Sequence, residues 1–281
     1  MKIAALALAF AVAASPSLAQ APATPAAPVK LWRLDCGTIQ VNDLNAFSDT
    51  RAYTGRTKTL VSSCYLIRHG DRYMVWDTGY PAALVGAPLS PSGAMSSTMR
   101  VTLVDQLSQL KIRPEQIEIV GISHLHGDHT GQARAFPGAT LMIGSGDWAL
   151  LTTKPLRAGL DPVPLALWTD GGGKSDPVKG DRDVFGDGSV TMIDLPGHTP
   201  GHHGLLVRLT RMGPVLLTGD EYHFAENYAN DGVPIFNTSR AETLASHDRF
   251  KKLAANLRAR VIIQHEPADV AKLPRFPAAA D

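Results

Sequence analysis

His124-Leu125-His126-Gly127-Asp128-His129 places three imidazoles and one carboxylate within six positions. Such a cluster gains nothing in a hydrophobic core and starts a helix poorly, yet it supplies the nitrogen and oxygen donors that a metal ion needs. His124 and His126 are two residues apart, so at the end of an extended strand both side chains leave the same face, toward one ion. Asp128 and His129 lie around the following turn, displaced toward a second ion, and Gly127 leaves the backbone free to bend between the two pairs. The apolar run 117–122, Ile-Glu-Ile-Val-Gly-Ile, delivers the motif as a buried strand. A histidine-rich surface loop would account for any one of these histidines. It does not account for four ligand-type residues in six positions directly behind a buried strand.

Around this motif the chain has 281 residues, 44% hydrophobic and 19% charged, the composition of a soluble globular protein with a sizeable core. Lys2, the apolar residues 3–14 and Ser-Pro-Ser-Leu-Ala at 15–19 form a signal-peptide pattern, with cleavage expected after Ala19 and a periplasmic or secreted destination. The apolar run falls short of the roughly 20 residues that a bilayer span needs. Removing residues 1–19 takes away one charge, Lys2, so the formal net charge goes from +1 to 0. A neutral chain is not built to hold nucleic acid or an acidic membrane surface; a small-molecule substrate is the expected partner, and a homodimer stays open. An exported protein can join its two cysteines, Cys36 and Cys64, although two buried free thiols fit the sequence equally well. Two cysteines cannot complete a cysteine-rich zinc site, so histidine and carboxylate must carry any metal.

Residues 20–29 read as an Ala/Pro-rich leader, 30–275 as one folded unit and 276–281 as a frayed tail. Strands are expected at 31–39, 60–68 and 73–76, the last two joined through His69-Gly70-Asp71. Two long loops, 42–58 and 80–97, interrupt this series, and loops of that length commonly serve as lids or binding loops. Residues 101–110 carry Leu103, Val104, Leu107 and Leu110 at helical spacing, ahead of the strand that feeds the histidine motif. A strand is expected at 139–143, and 161–187, with Gly171-Gly172-Gly173, reads as irregular. No P-loop Lys-Ser/Thr follows those glycines in register, so they carry no phosphate-binding signal. Further short strands read at 189–195, 203–209, 214–217 and 261–263. Ser239 to Glu242 forms a capping-box pattern for a helix through Arg258, with Leu244, Phe250, Leu253 and Leu257 on its inner face. The halves repeat a theme of strands followed by helix and strand, which an α/β (α+β) four-layer sandwich would bury, sheets inside and helices outside.

Three further ligand candidates sit where apolar strands end: His198 in Leu195-Pro-Gly-His-Thr-Pro-Gly-His202, Asp220 after Val215-Leu216-Leu217-Thr-Gly, and His265 after Val261-Ile262-Ile263-Gln264. Each alone reads equally as a turn or surface residue. The ordered set resembles the metallo-β-lactamase superfamily, with its His-x-His-x-Asp-His motif and later His, Asp and His, over nearly the whole mature chain. The resemblance implies the superfamily's αβ/βα fold and a first metal held by His124, His126 and His198. It implies a second metal held by Asp128, His129 and His265, with Asp220 bridging the two. It also implies that Asp77, in Trp76-Asp-Thr-Gly79, orients a ligand from behind. Nitrogen and carboxylate donors favour two zinc ions, with manganese, cobalt or iron as alternatives.

Within that superfamily, Asp35-Cys-Gly-Thr-Ile39, Ser63-Cys-Tyr-Leu-Ile67, Trp76-Asp-Thr-Gly79 and Ile263-Gln-His-Glu-Pro267 resemble the N-acyl homoserine lactonases, the quorum-quenching branch. The implied reaction is attack of a metal-bridging hydroxide on the lactone carbonyl, with Asp128 and a tyrosine protonating the departing alkoxide. In that family a catalytic Tyr lies three residues after the bridging Asp. Here the position is His223, with Tyr222 before it, and either is a candidate for the role. Leu44, Phe47, Tyr80, Leu84, Leu89 and Met95 are candidates for an acyl trough. Organophosphate triesterase or arylesterase activity on the same scaffold is the alternative, followed by a metallo-β-lactamase and a metal-binding protein without turnover. The remaining histidines, His69, His202, His203 and His247, read as turn, supporting or surface residues. No Gly-x-Ser-x-Gly elbow is present, so a serine nucleophile is not supported.

Overall fold

The computed structural model describes residues 27–281; the expected signal peptide and most of the leader lie outside the described residues. Seven strands, β1 (Val29–Val41), β2 (Lys58–His69), β3 (Arg72–Trp76), β4 (Met95–Thr98), β5 (Ile117–Ile122), β6 (Thr140–Gly144) and β7 (Ser175–Val178), form one sheet in the order β4-β1-β2-β3-β5-β6-β7. Five more, β8 (Arg182–Asp183), β9 (Val190–Asp194), β10 (His203–Leu209), β11 (Gly213–Leu217) and β12 (Arg260–Ile262), form a second in the order β12-β11-β10-β9-β8. The sheets bury their facing sides against each other, with Leu31, Tyr65, Met74 and Trp76 of the first meeting Met192, Leu205, Val207 and Leu217 of the second. Helices cover both outer faces, as a sheet with two apolar faces requires.

On the first sheet's outer face lie α1 (Leu103–Gln109), α2 (Gly127–Thr130), α3 (Ser145–Thr152) and α4 (Ala166–Thr169). Thr102 and Asp105 close a reciprocal capping box at the start of α1, and Leu103 and Leu107 reach a core shared with Trp32, Leu66 and Val120. Between β11 and β12 come α5 (Ala225–Asn230) and α6 (Arg240–Leu257), and α7 (Pro267–Val270) follows β12. Ser239 caps α6. Of the expected inner face, Phe250 is buried and Leu253 and Leu257 pack half-buried against the same core, while Leu244 stays outside it; Thr243, Ser246, His247 and Ala254 complete the buried face. Polar groups on that face bond to the loops beneath, as Ser246 Oγ does to Pro196 O at 2.8 Å. No helix among the described residues is long and apolar enough to cross a membrane.

Two expectations are corrected. Residues 161–187 are not wholly irregular, because they supply the edge strands β7 and β8, four and two residues long, too short to show alternation. The tail 276–281 is not frayed: Leu31 and Ala280 exchange main-chain bonds of 2.9 and 2.8 Å, and Trp32 Nε1 donates to Pro277 O at 3.1 Å. That pairing covers part of the open edge of β1. Cys36 and Cys64 are joined, with Cα atoms 5.8 Å apart. Cys36 occupies a bulge where the β1/β2 register slips between Asp35 and Gly37.

Candidate metal centre

Five strands end at one rim. Past the C-terminal ends of β3, β5, β9, β11 and β12 stand Asp77, His124, His198, Asp220 and His265, and the turn after His124 adds His126, Asp128 and His129. His124 Nε2, His126 Nδ1 and His198 Nε2 lie 2.9 to 3.1 Å apart. Asp220 stands between this trio and the rest. Its Oδ2 is 3.6 Å from His124 Nε2 and 3.4 Å from His198 Nε2, while its Oδ1 is 3.2 Å from His129 Nε2 and 2.8 Å from His265 Nε2. Asp128 Oδ2 closes the second group, 3.6 Å from His129 Nε2 and 3.8 Å from His265 Nε2. The structure thus brings all seven expected ligands together, as one group of four and one of three.

Hydrogen bonds behind the imidazoles fix which nitrogens face inward. His198 Nδ1 faces Asn237 Oδ1 at 2.8 Å, His265 Nδ1 faces Val61 O at 2.7 Å, and His129 Nδ1 faces Asp77 Oδ2 at 2.9 Å. All three partners only accept, so these Nδ1 atoms donate and the three Nε2 atoms turn toward the centre, where they would offer a bound cation their lone pairs. Those nitrogens converge with two carboxylates, and His129 Nε2 is buried without any hydrogen-bond partner. Cations satisfy such an arrangement and neutral solvent does not. The donor set, histidine nitrogens and carboxylate oxygens with one carboxylate reaching both groups, fits a pair of zinc-like ions.

Charge follows the same layout. Burial holds the His124 and His198 imidazoles well below their ordinary pKa, and that of His126 below it. Burial also opposes protonation of His129, but the carboxylates of Asp220, Asp128 and Asp77 outweigh it and raise its pKa. Asp220 is pulled well below the usual carboxylate range despite its burial, by His265, His129, His223 and His124 around it.

Asp77 sits in left-handed backbone, φ 57°, where its N–H donates to Gly121 O at 2.8 Å. Its carboxylate accepts from Ser123 N at 2.7 Å and Gln264 Nε2 at 2.6 Å as well as from His129, tying three ligand-bearing loops together. The disulfide lies against the same turn: a Cβ on Gly79 would come within 2.5 Å of Cys36 Cβ and 2.7 Å of its Sγ. Of two further supports, Asp147 gave no sequence signal, while His202 is one of the histidines read as turn, supporting or surface residues. Asp147 accepts from Leu125 N, Thr199 Oγ1 and Gly201 N at 2.7 to 2.9 Å, holding the first and second ligand loops in register; burial pushes its carboxyl up to about 6. His202 donates from Nδ1 to Leu195 O and accepts the Asp220 amide at Nε2, both at 2.9 Å, and burial lowers it to about 3. His69 pairs with Asp187 and stacks on Phe185 at the surface, as expected. His203 and His247 are buried, contrary to a surface reading, and bond to the main chain at Gly201 O and Glu221 O.

The catalytic candidates separate. His223 reaches the centre, its Nε2 3.1 Å from Asp220 Oδ2. Tyr222 points the other way, its ring stacked on His247 and its hydroxyl 3.5 Å from Asp231 Oδ1 and His247 O. The expectation that Tyr222 serves the site is therefore corrected; alternate residues leave this segment on opposite sides. A cavity of about 280 Å³ opens on His126, Asp128, Asp220, His223 and His265 and is walled by Ile39, Phe47, Leu60, Tyr80, Met95 and Phe236. Of the expected trough, Phe47, Tyr80 and Met95 line it. Leu44 is instead packed in the core with Val41 and Tyr53, Leu89 is exposed on its loop, and Leu84 is absent from the wall. Phe236, in an apolar loop without periodicity, was missed; it meets Phe47 edge-on at 5.3 Å.

Comparison with known proteins gives a consistent picture. Residues 57–265 match a family model described as the metallo-beta-lactamase superfamily. An N-acyl homoserine lactonase AttM of Rhizobium johnstonii is 29% identical over 252 residues, 85% of this chain and 94% of that protein. An N-acyl homoserine lactonase of a Bacillus species is 27% identical over 210 residues, 72% of this chain and 80% of that one. A solved N-acyl homoserine lactone hydrolase with N-hexanoyl-L-homoserine at its catalytic metal centre superposes with a TM-score of 0.75, at 21% identity, over 90% of this chain and 99% of the other. AidC, a dizinc quorum-quenching lactonase, superposes with a TM-score of 0.66 at 17% identity, over 91% of each chain.

Proposed function

We propose, for a chain that belongs to the metallo-beta-lactamase superfamily, that it hydrolyses the ring ester of N-acyl homoserine lactones at a two-zinc centre, outside the cytoplasm after loss of residues 1–19. The observation that carries this reading is Asp220, whose two oxygens face the two ligand groups beside an apolar cavity of about 280 Å³. His124, His126, His198 and Asp220 would hold one ion, and Asp128, His129, His265 and Asp220 the other. When bound, the two ions supply a hydroxide nucleophile at neutral pH and a Lewis acid for the carbonyl oxygen. The names of the relatives favour the lactone as substrate.

The chain's own residues do the rest. Phe47, Met95 and Phe236 exclude water and receive the acyl chain, which leaves the ring against His126, Asp128 and His223. Asp128, at the cavity wall, would take the proton that the attacking hydroxyl gives up and pass it to the departing ring oxygen, so the carboxylate ends as it began. His223 places Nε2 3.1 Å from Asp220 Oδ2 and so restricts the orientation of that carboxylate. Tyr80 stays protonated, since burial and the nearby Asp128 carboxylate both raise its pKa, and it offers a neutral donor to the substrate amide.

Purified metal-loaded protein assayed against N-hexanoyl homoserine lactone, a penicillin and a phosphotriester tests the reading. The lactone should be opened with a kcat/KM at least about a hundredfold above the others, a transition-state difference of nearly 3 kcal/mol. Comparable values for the phosphotriester would transfer the assignment to the triesterase alternative.

A further inference from the structure

Besides the substrate cavity, a cleft of about 390 Å³ opens at the edge of β1. Arg33, Arg100 and Arg275 line it against a single carboxylate, Asp35, leaving two net positive charges in a protein close to neutral overall. Arg100 pairs with Asp35 at 2.6 Å, and Arg33 is committed to Val270 O at 2.9 Å and Pro274 O at 3.1 Å. Arg275 is exposed and makes no ion pair among the described residues. Val270 and Phe276 give the cleft an apolar wall.

The β1 edge supplies a second kind of recognition. Leu31 bonds outward to Ala280, and four residues on Asp35 bonds outward to the Gln106 side chain, accepting at 2.8 Å and donating at 2.8 Å. In an antiparallel ladder alternate residues face the same edge, so the N–H and C=O of Arg33, midway between, also face outward. No strand or side chain among the described residues takes them.

We propose that this cleft is a second binding site, separate from the metal centre, for an N-acylated amino acid. Its carboxylate would sit on Arg275 and Arg100, its amide would pair with the Arg33 main chain, and its acyl group would lie on Val270 and Phe276. Guanidinium groups match carboxylates bidentately, and an amide is the group that completes a vacant strand edge. The cleft shares a wall with the metal centre. Val61 and Ser62 line it, while Val61 O accepts from the ligand His265 and Ser62 Oγ donates to Asp128 O at 3.3 Å. A ring-opened N-acyl homoserine belongs to this ligand class, but the site does not depend on the lactonase reading.

Calorimetric titration of the full-length, metal-loaded protein with N-hexanoylglycine, which has no ring to open, tests the site whether or not lactones are turned over. One equivalent should bind, the methyl ester should bind at least tenfold more weakly, and Arg275→Glu and Arg100→Glu should each weaken the acid at least tenfold with the metal content unchanged. Failure of the wild type to bind at millimolar probe would overturn the proposal. So would equal affinity in both arginine variants, which would place the probe at the metals.

Discussion

At the scale of the residue, the seven ligands are legible in the sequence because each one follows an apolar strand, and a strand end is rigid enough to aim a side chain. Asp220 is the residue on which most depends. Asp220→Ala should lose metal and turnover together, with kcat/KM falling about a thousandfold or more, because two cations close together need the shared negative charge. Elemental analysis finding two metals per chain in an active Asp220→Ala protein would remove it from the bridge. The neighbours on either side of the chain twist should behave oppositely. His223→Phe should keep its metals and lower kcat about tenfold to a hundredfold, whereas Tyr222→Phe, whose hydroxyl makes only contacts of 3.5 Å away from the site, should stay within about twofold of wild type. Phe236→Ala should raise KM more for long-chain than for short-chain lactones, by about 0.8 kcal/mol for each methylene it leaves uncovered. Asp147, Asn237 and Phe236 escaped the sequence because their partners lie far along the chain: the Asp147 carboxylate serves Leu125 and Gly201, and no local pattern marks that.

At the scale of the element, strands were read well and helix faces poorly. The hydrophobic run of β5 and the hairpin between β2 and β3 carry strong local signals. Helix α6 does not, since Leu244 stays outside the core while Thr243 accepts from Asn237 Nδ2 and Ser246 and His247 bond to the loops beneath. That buried histidine makes the helix a source of acid sensitivity. Burial lowers His247 from its ordinary value of 6.5 to about 4. Between those limits the unfolded chain binds a proton that the folded one refuses, so the stability contributed is full above pH 6.5 and is lost as the pH falls toward 4. Wild type should lose on the order of 2 kcal/mol more than His247→Gln between pH 7 and pH 5, as 1.36 kcal/mol per unit implies. Urea denaturation at the two pH values measures this, and parallel curves for the two proteins would clear His247 of the effect.

At the scale of the whole molecule, the four-layer arrangement followed from two strand series that each needed covering. What the sequence could not show was how the layers close at their margins. The edge strands β7 and β8 are short and polar, and residues 276–281 look like any Pro/Ala terminus until Ala280 is seen paired with Leu31. The pairing of the cysteines was equally open in the sequence, because proximity of two strands across a 28-residue separation depends on register. Thiol titration of the unfolded, unreduced protein should find no free thiol.

The disulfide rests on Gly79, two residues past the aspartate that steers His129. That contact predicts that reducing the disulfide loosens the turn carrying Asp77 and weakens the hold on the second metal. Protein folded in a strongly reducing medium should carry close to one metal instead of two, the deficit falling on the Asp128, His129 and His265 group, and should gain the other only after exposure to an oxidant. A reduced protein that keeps both metals through desalting would show that the turn holds its shape unaided.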